Sequence, residues 1–383
     1  MSRDPQMQTA KEILRALVAI PSVSSMSNLP LLDAAERMLA PRGWFPLRLP
    51  YAAADGQEKA NMLALPRRFQ GALPNVELLF VCHTDTVPYG SGWADATELQ
   101  ERDGDLHGCG ACDVKGSMAG LLAAALGVDS EALPAPVAFA FTAEEEIGCI
   151  GATKLAASGA IRARRAIVCE PTSLRPATAG KGYGLAEVRI AGREAHSAFP
   201  AKGASAIRAA AETIVALEQW QRSDDKLRDP RFNPPHTTFN VGVIHGGTAK
   251  NMVPGACTFL VEWRPLPQED PMHGGEAIQR LAAEIAAKNP GCAIEVRVLR
   301  ADAGFQNRSD CGLGAALGRI LGRPETGISF GSEATRFAGL VEEAVVVGPG
   351  DMETAHSERE CIPADELEEW TGTVKHLLLH PAR

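Results

Sequence analysis

The run Leu78-Leu79-Phe80-Val81-Cys82-His83-Thr84-Asp85-Thr86-Val87-Pro88 constrains this chain more than any other stretch. Its apolar half reads as a buried strand, and polar groups at the C-terminal end of such a strand lie where open α/β sheets place their ligands. His83 is thereby presented at a crevice. Asp85, two positions on, shares its side of an extended backbone, so its carboxylate is expected to hold the imidazole by the second ring nitrogen. A His-x-Asp pair alone is common and carries little information. Its weight here comes from repetition. Val137-Ala138-Phe139-Ala140-Phe141-Thr142 leads into Glu144-Glu145-Glu146, and Arg165-Ala166-Ile167-Val168-Cys169 leads into Glu170. Between them Asp113 lies in a glycine-rich loop, Gly108 to Gly116, that feeds the small-residue helix Ser117 to Leu126. Asp113 would by itself be an ordinary helix cap, and three adjacent acids an ordinary solvated loop. Gathered in one crevice, they repel one another unless cations compensate them or a proton is retained.

Composition narrows the class. A chain of 383 residues with 45% hydrophobic residues can fill a large core and two domains. A net charge of -9, with no Lys/Arg-rich block, excludes a phosphate-backbone partner and points to a small-molecule protein. Met1 to Gln6 contain no apolar signal core, and the longest apolar stretch, near Met118 to Val128, falls short of the roughly 20 residues that span a bilayer, so a cytoplasmic protein with no membrane partner is expected. The nine cysteines are an odd number, and Cys82, Cys169 and Cys257 sit in strand-like runs, as reduced core residues do. Cys109-Gly110-Ala111-Cys112 has no second C-x-x-C to complete a zinc ribbon and no thioredoxin-like context.

Along the chain, Thr9 to Ala19 and Leu31 to Ala40 carry helical apolar spacing and end near Pro21 and Pro41-Arg42-Gly43. From Gly182 the texture changes. Strand Gly184 to Ile190, helix Ala204 to Trp220, strands Thr238 to Ile244 and Cys257 to Arg264, helix Gly275 to Lys288 and strand Cys292 to Leu299 form a β-α-β-β-α-β order, an independent small α+β domain. It reads as an insertion, because Cys311 to Leu321, Val345 to Val347 and Ala364 to His380 return to helix-strand-helix texture. The expected fold is α/β, with helices on both faces of a mixed sheet plus the inserted domain. His356 follows the last strand.

These motifs, in this order, resemble the co-catalytic metal-dependent aminoacylase and carboxypeptidase family. The resemblance rests on His83-Thr84-Asp85-Thr86-Val87-Pro88, Gly110-x-x-Asp113-Val114-Lys115-Gly116, Glu144-Glu145-Glu146, Glu170-Pro171-Thr172-Ser173, Ile244-His245-Gly246-Gly247, Arg264-Pro265-Leu266-Pro267 and Ala355-His356. It implies a catalytic domain of residues 1–180 and 298–383 and a lid and dimerisation domain of residues 181–297. It also implies that Asp113 bridges two metals, with His83 and Glu170 on one and Glu146 and His356 on the other. A mixed His and carboxylate set suits Zn(II) or Co(II), one or two ions per subunit. Glu145 is implied as the proton-transferring base, Asp85 as a further catalytic residue, and His196 as a residue that reaches the site of the other subunit in a homodimer. Lys181, Asn251, Arg264 and Glu333 match positions near the substrate. The family usually has Asp-Glu-Glu where this chain has three glutamates, which leaves the register of base and ligand open by one. A cis peptide after Asp113 is implied too. The implied activity is hydrolysis of the acetyl amide of an Nα-acetyl amino acid in arginine biosynthesis, N-acetyl-L-citrulline leading and N-acetyl-L-ornithine the alternative, with desuccinylase or dipeptidase chemistry behind them. A non-catalytic metal-binding relative is disfavoured by the completeness of the ligand set.

Overall fold

A computed structural model describes residues 9–90, 92–223, 227–308 and 312–381. The chain divides into two compact units, one of Met1–Thr178, Asn307–Thr326 and Ser332–Arg383, the other of Ala179–Gln306 and Gly327–Gly331. The strand Ala293–Asp302 runs through residue 298, so the smaller unit closes after Gln306 rather than at 297.

In the larger unit the His83 strand, Asn75–His83, lies inside a mixed sheet. It runs parallel to Val137–Thr142 on one side and Arg162–Val168 on the other, and Glu343–Val346 continues the parallel set beyond Arg162–Val168. Glu58–Pro66 joins Val137–Thr142 antiparallel, and Trp44–Ala52 pairs antiparallel with Glu58–Pro66. Side chains alternate across such strands, and here both sets are buried. Leu78, Phe80, Phe139 and Phe141 pack with the helices Ala10–Val18, Leu29–Leu39, Gly116–Leu126 and Ala364–Leu379, while Leu79, Val81, Ala138 and Ala140 point the other way and are also sequestered. Thr9 starts the first helix with a reciprocal cap, its hydroxyl accepting from Glu12 N and its own N–H donating to Glu12 Oε2. Because the central strands are parallel, their C-terminal ends lie on one edge of the sheet, with His83 opposite Thr142 in register.

The smaller unit has the β-α-β-β-α-β order read from the sequence. Its four-stranded sheet runs Thr238–Gly246, Ala256–Arg264, Tyr183–Ala191, Ala293–Asp302, with every neighbour antiparallel. Helices Ala206–Ser223 and His273–Lys288 belong to this unit, and residues of both join the sheet's Val188, Phe259 and Trp263 in its core. Among the described residues no helix is long and apolar enough to cross a membrane. Eight cysteines are described and all are free, Cys109 and Cys112 included; the expected helix start at Cys311 lies outside the described residues.

Candidate metal centre

The edge where the parallel strands end gathers the acids and histidines singled out above. His83, Asp113 and Glu170 each offer a ligand atom within 4.8 Å of the others, and so do Asp113, Glu146 and His356. Asp113 belongs to both groups through different oxygens. Oδ1 is 3.0 Å from His83 Nε2, and Oδ2 is 3.2 Å from His356 Nε2, which lies 3.2 Å from Glu146 Oε2 as well.

The loop that carries Asp113 is held from its backbone. Gly110 turns the chain with a φ of +76°, and a Cβ there would meet Thr86 Cγ2 at 2.7 Å. The Cys112 and Asp113 N–H groups both donate to Glu360 Oε1 at 3.0 Å. The Asp113-Val114 peptide is cis. Glu360, buried and 247 positions away, carries no sequence signal that sets it apart from the charged run around it.

Asp85 departs from its expected role. His83 Nδ1 donates to the backbone carbonyl oxygen of Asp85 at 3.0 Å, whereas the Asp85 carboxylate is 3.8 Å from that nitrogen. The carboxylate instead accepts from Ser24 Oγ at 2.7 Å, Glu145 N at 3.1 Å and Glu146 N at 3.3 Å. It therefore anchors the acidic loop, while the main chain fixes the imidazole with Nε2 facing the crevice.

The three glutamates separate by environment. Glu144 takes a φ of +61° and turns its buried carboxylate to the Tyr51 hydroxyl, which donates to Oε2 at 3.0 Å, with Lys59 Nζ 4.0 Å from Oε1. Glu145 accepts from the Cys149 thiol at 3.3 Å. Burial first, and then the charges of Glu146, Glu333 and Asp113, push Glu145 up to about 8 despite the opposing His83. Glu170 is raised for the same leading reason, with Asp113 adding to it. His356 is lifted to about 10 by Asp113 and Glu146, and Asp113 is held below its ordinary value, burial being outweighed by His356 and His83.

The donor chemistry fits divalent cations. With its proton on Nδ1, His83 turns a lone pair on Nε2 toward a carboxylate oxygen 3.0 Å away. Glu146 Oε1 and Glu170 Oε1 are buried without a hydrogen-bond partner among the described residues. Lone pairs converging in this way need a positive centre between them.

Elsewhere the expected residues fall into separate settings. Glu333 belongs to the larger unit and is fully buried, with no geometrically good hydrogen bond to either carboxylate oxygen among the described residues; burial foremost pushes it up to about 7, with Thr142 opposing the rise. Lys181, in the smaller unit, spends its ammonium on the carbonyl oxygens of Pro234 at 2.8 Å and His236 at 2.6 Å. Arg264 lies over the Tyr183 ring, 4.6 Å from its centroid. His196 and Asn251 are exposed and adjacent, since Ala195–His196 pairs with Met252–Val253 and Ser197 N donates to Asn251 O at 2.9 Å. Ser24, Tyr51, Lys59, Cys149 and Glu360, all of them braces of the site, were not singled out by the sequence.

Two groups of metal-ligating side chains that share one carboxylate, at the edge of a mixed α/β sheet, fit a metal-dependent amidohydrolase. Residues 79–380 match the model of Peptidase family M20/M25/M40, and the chain belongs to that family. It is 41% identical over 370 residues to an acetylornithine deacetylase of Myxococcus xanthus, covering 96% of each chain. It is 33% identical to an acetylornithine deacetylase of Proteus mirabilis (strain HI4320), over 93% of this chain and 92% of that protein. Among solved structures it shares its fold with aminopeptidase PepT from Bacillus cereus ATCC 10987, at a TM-score of 0.77 and 21% identity over 99% of both chains. It is also similar to the Bacillus subtilis YXEP protein, described as a dinuclear metal binding peptidase from the M20 family, at a TM-score of 0.68 and 16% identity over 97% of both.

Proposed function

We propose that this protein hydrolyses the acetyl amide of an Nα-acetyl amino acid, releasing acetate and the free amine, with Nα-acetyl-L-ornithine as its substrate in arginine biosynthesis in the cytoplasm. The observation that carries the chemistry is Asp113, whose two oxygens face separate ligand groups beside Glu145. The relatives that are 41% and 33% identical, both acetylornithine deacetylases, support the substrate. No relative named here and no residue described favours acetylcitrulline over it.

In this reading His83, Asp113 and Glu170 hold one ion, and Asp113, Glu146 and His356 hold the other, zinc or cobalt being suited to such donors. A bound pair would polarise the amide carbonyl and acidify a water. Glu145 takes a proton from the attacking water on its carboxylate and delivers it to the departing amine nitrogen, so one water is consumed for each acetate and amine formed. Asp85 keeps Glu145 and Glu146 in place through their backbone N–H groups. Glu144, committed to Tyr51 and Lys59, takes no part, which supports the register with Glu145 as base. The family resemblance assigns the smaller unit the role of lid and dimerisation domain, and assigns Arg264, Lys181, Asn251 and Glu333 to substrate binding. His196 acts on the partner subunit's site in a homodimer.

The substrate is tested by kcat/KM on metal-reconstituted protein for acetylornithine, acetylcitrulline, acetylmethionine and succinyl-diaminopimelate. Acetylornithine is expected to lead acetylcitrulline by about tenfold or more, a polar mismatch of about 1.4 kcal/mol. Equal values, or citrulline ahead, sink the substrate and leave the deacetylation standing. The assembly is tested by mixing His196→Ala with Glu145→Ala subunits. Recovered activity is expected, and its absence in demonstrated heterodimers removes His196 from the partner's site.

A further inference from the structure

A second group of metal-ligating side chains lies on the small sheet of the larger unit, separate from the residues assigned above. This sheet consists of Gln100–Arg102, Asp105–His107 and Cys361–Pro363, with the middle strand paired antiparallel to both others. Asp103 and Gly104, at φ of +52° and +93°, make the two-residue turn of the first hairpin, which fixes the register of Asp105 and His107. Residues two apart on a strand share a face, and so do residues directly opposite across a pair. Cys361 is opposite His107, and Asp105 is its diagonal neighbour. One face therefore presents a thiol, an imidazole and a carboxylate, each offering a ligand atom within 4.8 Å of the others.

Among the described residues these side chains are little engaged elsewhere, Thr354 lying beside the Cys361 thiol. The Cys361 thiol faces Asp105 Oδ2 at 3.9 Å, and that is the one side-chain partner of Asp105 among the described residues. Arg102, the nearest cation along the hairpin, pairs with Asp95 at 3.0 Å. The His107 imidazole has no hydrogen-bond or ion-pair partner among the described residues. All three are half-buried, dry enough to favour ligation and open enough to admit an ion and a water.

We propose that Asp105, His107 and Cys361 form an additional divalent metal site, taking Zn(II) or Co(II) with solvent as the fourth ligand. The geometry suits a tetrahedral ion, since bonds of about 2.3 Å to sulfur and about 2.0 Å to oxygen span an edge of about 3.5 Å, a few tenths short of the distance between this thiol and carboxylate. The thiol gives its proton to solvent as the ion binds. Such an ion ties Cys361–Pro363 to the hairpin. The residue before this strand, Glu360, holds the backbone of Cys112 and Asp113, so the ion braces the loop that carries the shared carboxylate.

Sulfur separates this site from the other, whose assigned ligands are nitrogen and oxygen. The metal-stripped full chain would be titrated with Co(II), following bound metal and the near-ultraviolet thiolate-to-cobalt absorption. The wild type is expected to develop that band, and Cys361→Ser to lose it together with about one equivalent of bound cobalt. His107→Gln is expected to weaken that equivalent and serves as the reading if Cys361→Ser does not fold. Cys112→Ser, a control for the thiol beside Asp113, is expected to keep the band. A wild type without the band, or a band that survives in Cys361→Ser, overturns the proposal. Neither result bears on the deacetylase reading, which kcat/KM tests independently.

Discussion

Asp85 and Glu360 act on this site through backbone N–H groups, and that distinction decides what each nearby glutamate can do. Asp85 receives the amides of Glu145 and Glu146, which leaves both carboxylates free to face the crevice. Glu144, one residue earlier, sits at a left-handed φ and points away to Tyr51 and Lys59. Replacement of Glu145 by Gln is accordingly expected to lower kcat by about 10²- to 10⁴-fold while bound metal stays at the wild-type level, the signature of a proton-transfer group. Glu144→Gln should retain most of kcat and lower the melting temperature, because it disturbs a buried polar network. Steady-state kinetics with metal analysis distinguishes the two, and the opposite pattern would shift the register by one residue. Sequence spacing put Asp85 on the imidazole's side of the strand, yet spacing does not tell whether carboxylate or carbonyl makes the bond. Glu360 was illegible for a different reason. Its partners are 247 and 248 positions away, and no local pattern encodes such a contact.

At the scale of elements, the helix-on-helix packing behind the sheet makes two glycines respond in opposite directions. Gly120, in Gly116–Leu126, would carry its Cβ into Trp370 of Ala364–Leu379, overlapping Cδ1 and reaching Nε1 at 3.0 Å. Alanine is favoured over glycine in a helix by about 1 kcal/mol, but overpacking a filled core costs about 1–3 kcal/mol. Gly120→Ala is therefore expected to lower stability. Gly372, in the facing helix, meets nothing within 4 Å, so Gly372→Ala should raise stability by up to about 1 kcal/mol. Denaturant titration checks both, and a stabilised Gly120→Ala would mean that Trp370 moves aside freely. These helices were legible because their apolar spacing and stop residues agree, as the Thr9–Glu12 cap and the Pro21 stop illustrate. The strand Trp44–Ala52 went unread because Pro46 and Pro50 interrupt it, which an edge strand tolerates. The three-residue strands around His107 are too short for a period of two to emerge. The β-α-β-β-α-β insertion was legible as an order of elements, whereas its C-terminal boundary was not, since the last strand continues to Asp302.

For the whole molecule, the crowding of acids makes metal removal a question of stability as well as of activity. Glu145 at about 8, Glu333 at about 7 and Glu170, also raised, all lie above the roughly 4.3 of an unfolded glutamate, chiefly through burial. His356 is also held above its unfolded value, in its case by the hydrogen bonds and charges of Asp113 and Glu146 and against its burial. A group whose folded pKa is raised stabilises the fold at low pH and loses that contribution as pH climbs through the folded value. Between pH 5 and 8 the folded apoprotein thus binds more protons than the unfolded chain, and its stability declines as pH rises. Cations at Asp113, Glu146, Glu170, His83 and His356 would compensate the same charges and flatten that slope. They would also add binding free energy, about 4 kcal/mol at a thousandfold excess over Kd. Calorimetry of chelator-stripped protein at pH 5, 6, 7 and 8 should therefore show a falling melting temperature, and metal-reconstituted protein a higher and flatter one. The gap between the two curves should be widest at pH 8. Parallel curves would mean that these carboxylates are compensated without metal, and the assignment of Asp113 as the shared ligand would fall with them.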